Sequence, residues 1–209
     1  MKKLGLIVAA ATVAAAAGSA LAAKGDPLNN TFVVDSSLIS TNPTTVGGNL
    51  TQVNISGLTT NDEFGDLDNI VLLIPLGAGV SVTGVGWDVT ITAPAPSWLS
   101  EIAVNFGNSS GLAAGSVDIG FSNVNAPGGP VNDSTAGAIL KLADFNIPDV
   151  VLLPDGLLRI ELWDAFDDNP GLADGIFNQG ILTFQWIPTP GTLAFAGLAG
   201  LAGLRRRRR

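Results

Sequence analysis

Leu157-Leu158-Arg159-Ile160-Glu161-Leu162-Trp163-Asp164 alternates apolar and polar residues about Leu158, Ile160 and Leu162. Successive side chains of an extended chain point to opposite faces, so a period of two predicts a strand with one face in a core and the other toward water. Its predicted partner is the segment 176–187, where Gly180-Ile181-Leu182-Thr183-Phe184-Gln185-Trp186 repeats the pattern. Working back through the chain, the same signal recurs. Thr31-Phe32-Val33-Val34 and Leu50-Thr51-Gln52-Val53-Asn54-Ile55 alternate with β-branched residues, and Asn69-Ile70-Val71-Leu72-Leu73-Ile74-Pro75 is a continuous apolar run. Residues 81–92 alternate around Val82, Val85, Trp87, Val89 and Ile91, and residues 98–106 and 117–121 follow as further strands. Ala138-Ile139-Leu140-Lys141-Leu142 fits a strand or a helical turn, because alanine and leucine suit either.

Turn chemistry separates these runs: Thr41-Asn42-Pro43-Thr44-Thr45, Gly47-Gly48, Pro94 with Pro96 and Ser97, and Gly/Pro-rich loops at 107–115 and 126–130. Eight to ten strands spaced by about ten to fifteen residues, with no strong amphipathic helix, predict an all-β fold, specifically a β-sandwich of jelly-roll type.

Both flanks read differently. Lys2 and Lys3, an apolar run over 4–17, and Gly18-Ser19-Ala20-Leu21-Ala22 form the three regions of a secretory signal peptide, a short helix cleaved after the Ala20-x-Ala22 pattern by signal peptidase. The predicted organisation is therefore signal peptide 1–22, acidic β-sandwich domain 23–187, and a C-terminal sorting or anchor segment 188–209. In that last segment Pro188-Thr189-Pro190 precedes fourteen uncharged residues and then Arg205, Arg206, Arg207, Arg208 and Arg209. As a hydrophobic helix the fourteen span roughly 21 Å, short of the ~30 Å hydrocarbon core. Arginines beside a membrane segment hold it to the cytoplasmic side, and Gly197, Gly200 and Gly203 leave a small-residue strip for close helix approach.

Ile187-Pro188-Thr189-Pro190, the Gly/Ala/Leu-rich helix and the arginine cluster together resemble the PEP-CTERM sorting signal. The resemblance implies handling by an exosortase-like membrane enzyme and delivery to the cell surface or extracellular matrix. Thr189 stands where that family usually carries Glu between the prolines.

The predicted domain of about 165 residues has enough chain for one core. It holds all eighteen acidic residues of the chain but only Lys24, Lys141 and Arg159 as cations, a charge of −15. Such a surface repels phosphates, which excludes nucleic acid as a partner, and it attracts divalent cations where carboxylates converge. The chain has no Cys and no His. Disulfides, thiol chemistry, the Ser-His-Asp arrangement and most zinc sites are thereby excluded.

Within the domain, Gly86-Trp87-Asp88-Val89-Thr90-Ile91-Thr92, Ser97-Trp98-Leu99-Ser100-Glu101, residues 158–164 and Gly180-Ile181-Leu182-Thr183-Phe184 resemble the jelly-roll P domain of subtilisin-like convertases, of galactose-binding-like fold. This resemblance favours a jelly roll over an immunoglobulin sandwich and marks Glu101 as a site candidate.

The densest acidic cluster is Asp164, Asp167, Asp168 and Asp174. Calcium requires six to eight oxygens, which a loop of Asp, Asn and Gly can supply; a solvated acidic hairpin loop accounts for the same residues. Calcium is the candidate cofactor. Asp62, Glu63, Asp66 and Asp68 form a second cluster with the same two readings. Trp87, Trp98, Trp163 and Trp186 lie in or beside strand patterns, where core burial is the first expectation and a sugar-stacking platform the second.

Three functions follow: a non-enzymatic structural or interaction protein of the cell surface or matrix, a module binding extracellular polysaccharide, and a glycan-active enzyme. The second requires exposed tryptophans. The third requires two carboxyls held about 5–10 Å apart in a cleft.

Overall fold

The computed structural model describes residues 31–33, 39–43, 48–112 and 115–188. In chain order the strands are β1 (Thr31–Val33), β2 (Ile39–Pro43), β3 (Asn49–Asn54), β4 (Thr59–Thr60), β5 (Ile70–Pro75), β6 (Val80–Ala93) and β7 (Ala103–Asn108). They continue with β8 (Val117–Gly120), β9 (Gly128–Ser134), β10 (Leu140–Lys141), β11 (Val150–Val151), β12 (Leu157–Trp163) and β13 (Gly175–Pro188). No α-helix occurs among the described residues, and a single 3₁₀ turn spans Leu142–Phe145. The fold is all-β.

Two sheets form, in the orders β1-β5-β12-β7-β8 and β10-β6-β13-β3-β2. All pairings are antiparallel except β1 with β5, which is parallel. In the second sheet β9, β10 and β11 pair in succession along the same edge of β6, which covers an edge that otherwise offers open hydrogen bonds.

Strand existence agrees with expectation over most of the chain, and the pairing corrects it. The run 157–164 does not pair with 176–187: β12 lies between β5 and β7 in one sheet, and β13 lies between β6 and β3 in the other. Both segments alternate, and alternation reports a buried face without saying which sheet owns it. Residues 98–101 form a turn rather than the start of a strand, because Glu101 caps it: the Glu101 amide donates to the Trp98 carbonyl (3.1 Å) and the Trp98 amide donates to Glu101 Oε2 (2.8 Å). The predicted turn at 41–45 begins as β2, and the predicted loop at 126–130 runs into β9. At 138–142 both expected forms occur in part, a two-residue strand followed by the 3₁₀ turn.

The buried side chains of both sheets make one core. Leu158, Ile160 and Leu162 of β12 are fully buried, as the opening pattern requires. In β6 the inward residues are Val80 and Val82, then Val85, Val89 and Ile91. The change of phase sits at Thr83, where the register skips from Gly84↔Gln185 to Val82↔Trp186. In β13 the inward set changes from Phe177 to Leu182 and Phe184 across a second skip at Asn178. Each skip is a one-residue bulge, which turns every following side chain to the other face and so preserves burial on both sides of it.

The outer face of β12 is not open to water. Residues 61–69 lie over it: the Gly65 amide and Asn69 Nδ2 donate to Glu161 Oε1 at 2.7 and 3.0 Å. Phe64 sits edge-on to Trp163, with ring centroids 6.0 Å apart, and under the guanidinium of Arg159. Glu161 is fully buried, and Arg159 lies 2.6 Å from its Oε2 without hydrogen-bond alignment, so charge holds this pair. The polar positions of the opening stretch thus face a loop rather than solvent.

Candidate metal centre

The segment that begins at β4 organises one end of the molecule. Thr59 and Thr60 pair with Ile176 and Gly175 of β13, and the Asp174 amide donates to the Thr60 carbonyl (2.9 Å). Two residues on, the Asp62 carbonyl accepts the Asp164 amide (2.9 Å), and the Glu101 carbonyl accepts the Ala165 amide (3.2 Å). Gly175 permits this crossing, since a Cβ there would overlap the Thr60 hydroxyl and Ile102. Asp164 and Asp174, ten residues apart, therefore flank one threonine.

Both carboxylates are fully buried. Asp164 Oδ2 accepts the Thr60 hydroxyl (3.2 Å). Asp174 Oδ1 accepts the hydroxyl of the buried Ser97 (2.7 Å) and Asn169 Nδ2 (3.0 Å), and Asn169 also donates to Ser97 (3.0 Å). Asp164 Oδ1 and Asp174 Oδ2 are buried and accept no hydrogen bond. Glu101, 7 % exposed, completes the group, as Asp164 feels its charge. Burial pushes the Asp164 carboxyl up to about 7; hydrogen bonding from the Phe166 backbone and the Thr60 hydroxyl opposes the rise, and repulsion from Asp174 and Glu101 adds to it. Burial also raises Asp62, with the charges of Asp167, Asp66, Asp68 and Asp174 adding to it.

Of the expected calcium residues the fold brings Asp164 and Asp174 together and leaves Asp167 and Asp168 exposed. The second cluster divides likewise. Asp62 is half-buried and within 4.8 Å of Asp66 and Asp68, which are exposed, as is Glu63. Asp62 and Asp68 border an open depression of about 500 Å³ beside Leu172. Glu101 belongs to the buried group, which the acidic-cluster reading had kept separate. Thr60, Ser97 and Asn169 escaped the sequence reading; the spacing of uncharged polar residues carries no signal for a shared carboxylate partner.

The tryptophans are mostly packed. Trp87 donates to Asp133 (2.7 Å) and meets Phe121 edge-on, Trp186 donates to Thr51 (2.9 Å), and Trp163 packs on Phe64 with its Nε1 buried and unbonded. Trp98 alone of the four is exposed, at 42 %. A shallow groove of about 300 Å³ on the outer face of the second sheet is bordered by Gln52, Asp88 and Thr183.

Of the sorting motif, Ile187 and Pro188 are the exposed last residues of β13, paired with Ser81 and Val80. Thr189, Pro190, Arg205–Arg209, Ala20 and Ala22 lie outside the described residues. No helix among the described residues is long and apolar enough to cross a membrane.

A pH dependence follows from Asp164. Its folded value of about 7 stands above the ordinary 3.8 of an aspartate, so the folded state holds a proton that the unfolded state releases. The resulting stability is full below the unfolded value and is lost as pH rises through 7. In chelator, melting at pH 5.5 is expected several degrees above that at pH 8, and Asp164→Asn is expected to flatten the difference. Equal melting temperatures in the parent protein would contradict the assignment.

Comparison with known proteins finds no family model that matches the chain and no curated protein or solved structure that is similar to it.

Proposed function

We propose that the chain is a non-enzymatic structural or interaction protein, exported and delivered to the cell surface or extracellular matrix through a PEP-CTERM-type tail, with a jelly-roll-like β-sandwich as its displayed domain. One observation carries the structural part of this reading: the buried acids Glu161, Asp164 and Asp174 are spent on fastening loops to the sheets. Carboxylates used in this way hold an architecture together; glycoside hydrolysis needs a pair facing a cleft that admits sugar. The signal peptide, the tail and the −15 charge of the domain support export, since that charge favours solubility and repels anionic lipid heads. The groove bordered by Gln52, Trp87, Asp88 and Thr183 favours a second reading, a surface for extracellular polysaccharide.

The test is truncation. Because Ile187 and Pro188 pair with β6, the chain is cut after Pro188. The shortened protein is expected to leave the membrane fraction while melting within about 2 °C of the full chain, because β13 keeps all its pairing with β6. Retention on the membrane would contradict the tail as the anchor.

A further inference from the structure

We propose that the end of the domain where the chain leaves β13 rests on a zwitterionic lipid bilayer, with Leu112, Val151, Leu153 and Ile187 dipping into the headgroup layer. That contact depends on the tail acting as the anchor, as proposed above. Val151 and Ile187 are both level with Ser81, one on each side of it. The next residue of β6, Val82, faces the core, so Ser81 and its two partners face outward. Val151 and Ile187 are exposed, and Ser81 between them is buried. The Leu152 amide donates to the Val80 carbonyl (2.9 Å), which carries the row on to the exposed Leu153. The exposed Leu112 joins from the first sheet: its loop follows β7, and the Ser109 hydroxyl in that loop donates to Asp155 Oδ2 (2.5 Å), two residues from Leu153.

The chain beyond β13 sets how far this row can stand from a membrane. Pro188 ends β13, and Gly191 opens the fourteen uncharged residues that precede Arg205. The chain from Ile187 to Gly191 reaches at most about 14 Å when fully extended. As a helix the fourteen residues fall roughly 9 Å short of the ~30 Å hydrocarbon core. A segment shorter than the core draws its flanking residues toward the bilayer. Ile187 is thereby held at the headgroup layer, where the apolar side chains beside it gain by leaving water.

Charge orients the domain the same way. On β6 the exit end lies at Val80, level with Pro188, and the far end at Thr92, level with Ile176. Twelve residues at about 3.3 Å each set these levels roughly 40 Å apart. The exposed carboxylates Glu63, Asp66, Asp68, Asp167 and Asp168 gather toward the far end, in the loops around β4 and the start of β13. Leu67, Trp98, Phe166 and Leu172 are exposed too, but they stand on loops at that acidic end. Beside the apolar row stand Asp155 and Asp149, both exposed. These two repel anionic heads, so the surface that fits this end is zwitterionic.

The chain has no Cys, so one introduced cysteine carries an environment-sensitive fluorophore at a single chosen place. The full chain is reconstituted into nanodiscs of phosphatidylcholine, with the label at Leu153→Cys, Leu172→Cys or Gly197→Cys in separate samples. The label at 153 is expected to shift to the blue and to lose most of its emission to lipid brominated near the headgroup. At 172, on the far end, neither change is expected. Val151→Asp/Ile187→Asp should remove most of the quenching at 153; quenching that persists unchanged would overturn the apolar row as its cause. The label at 197 reports the tail. Quenching at 197 with an unshifted label at 153 would overturn the proposal and leave the tail reading standing, whereas an unquenched label at 197 would overturn both. A blue shift at 153 without quenching by lipid would put a second copy of the chain on this face and overturn the proposal as well. If Leu153→Cys does not fold, Leu112→Cys reads the same end.

Discussion

Arg159→Met is expected to destabilise the protein by about 3–5 kcal/mol, the cost of leaving one partner of a buried ion pair uncompensated. Glu161 has no exposed surface, and its Oε2 is met only by the guanidinium. Methionine keeps most of the aliphatic stem but removes the charge that sits over the Phe64 ring. At about 2–4 °C per kcal/mol for a domain of this size, the melting temperature should fall by roughly 6–20 °C. The double variant Arg159→Met/Glu161→Gln should recover most of the loss, because a glutamine carbonyl can still accept from the Gly65 amide and Asn69 Nδ2. Denaturant unfolding of the two single variants and the double variant measures this coupling directly. A loss below about 1 kcal/mol in Arg159→Met would place the pair in the class of exposed salt bridges and contradict the covered outer face of β12.

The second large effect lies between the sheets. Phe184 of β13 and Phe106 of β7 are fully buried and meet edge-on across the core, with ring centroids 5.1 Å apart. Phe184→Ala is expected to cost about 3–5 kcal/mol, combining the lost transfer of the ring and the cavity left behind. Phe106→Ala should cost a similar amount, and the double variant less than the sum, because the two rings share a contact. Strict additivity in a denaturant double-mutant cycle would contradict direct packing of the two sheets through this pair.

What the sequence makes legible, and what it hides, divides along a physical line. Strand existence is a local property, so the alternation around Leu158, Ile160 and Leu162 is readable from neighbours alone. Sheet membership is not local. β12 and β13 bury equally apolar faces, and only three-dimensional closure assigns them to different sheets. Short strands such as β4 and β11 carry two residues each, too few for any period, and form because β13 and β6 present unpaired backbone beside them.

The site shows the same division. Asp164 and Asp174 stand out by type and density, so their chemistry is visible in the chain. Burial separates them from Asp167 and Asp168, and burial depends on the Thr60 crossing and the absence of a Cβ at Gly175. Glu161 misled for a related reason: a charged residue at the polar position of a strand normally faces water, and here residues 61–69 cover it. Its i, i+2 neighbour Arg159, one of three cations in the predicted domain, is the available hint that a carboxylate there requires a partner.

Export and sorting of this β-domain are the readings that its flanking segments support. Intact mass of the protein recovered from the envelope and the medium of cells producing it tests both in one experiment. Loss of residues 1–22 and of the chain beyond the 188–191 region is expected, leaving β13 whole. Recovery of a species that retains Arg205–Arg209 would contradict processing of the tail and make the chain a plain membrane-anchored protein.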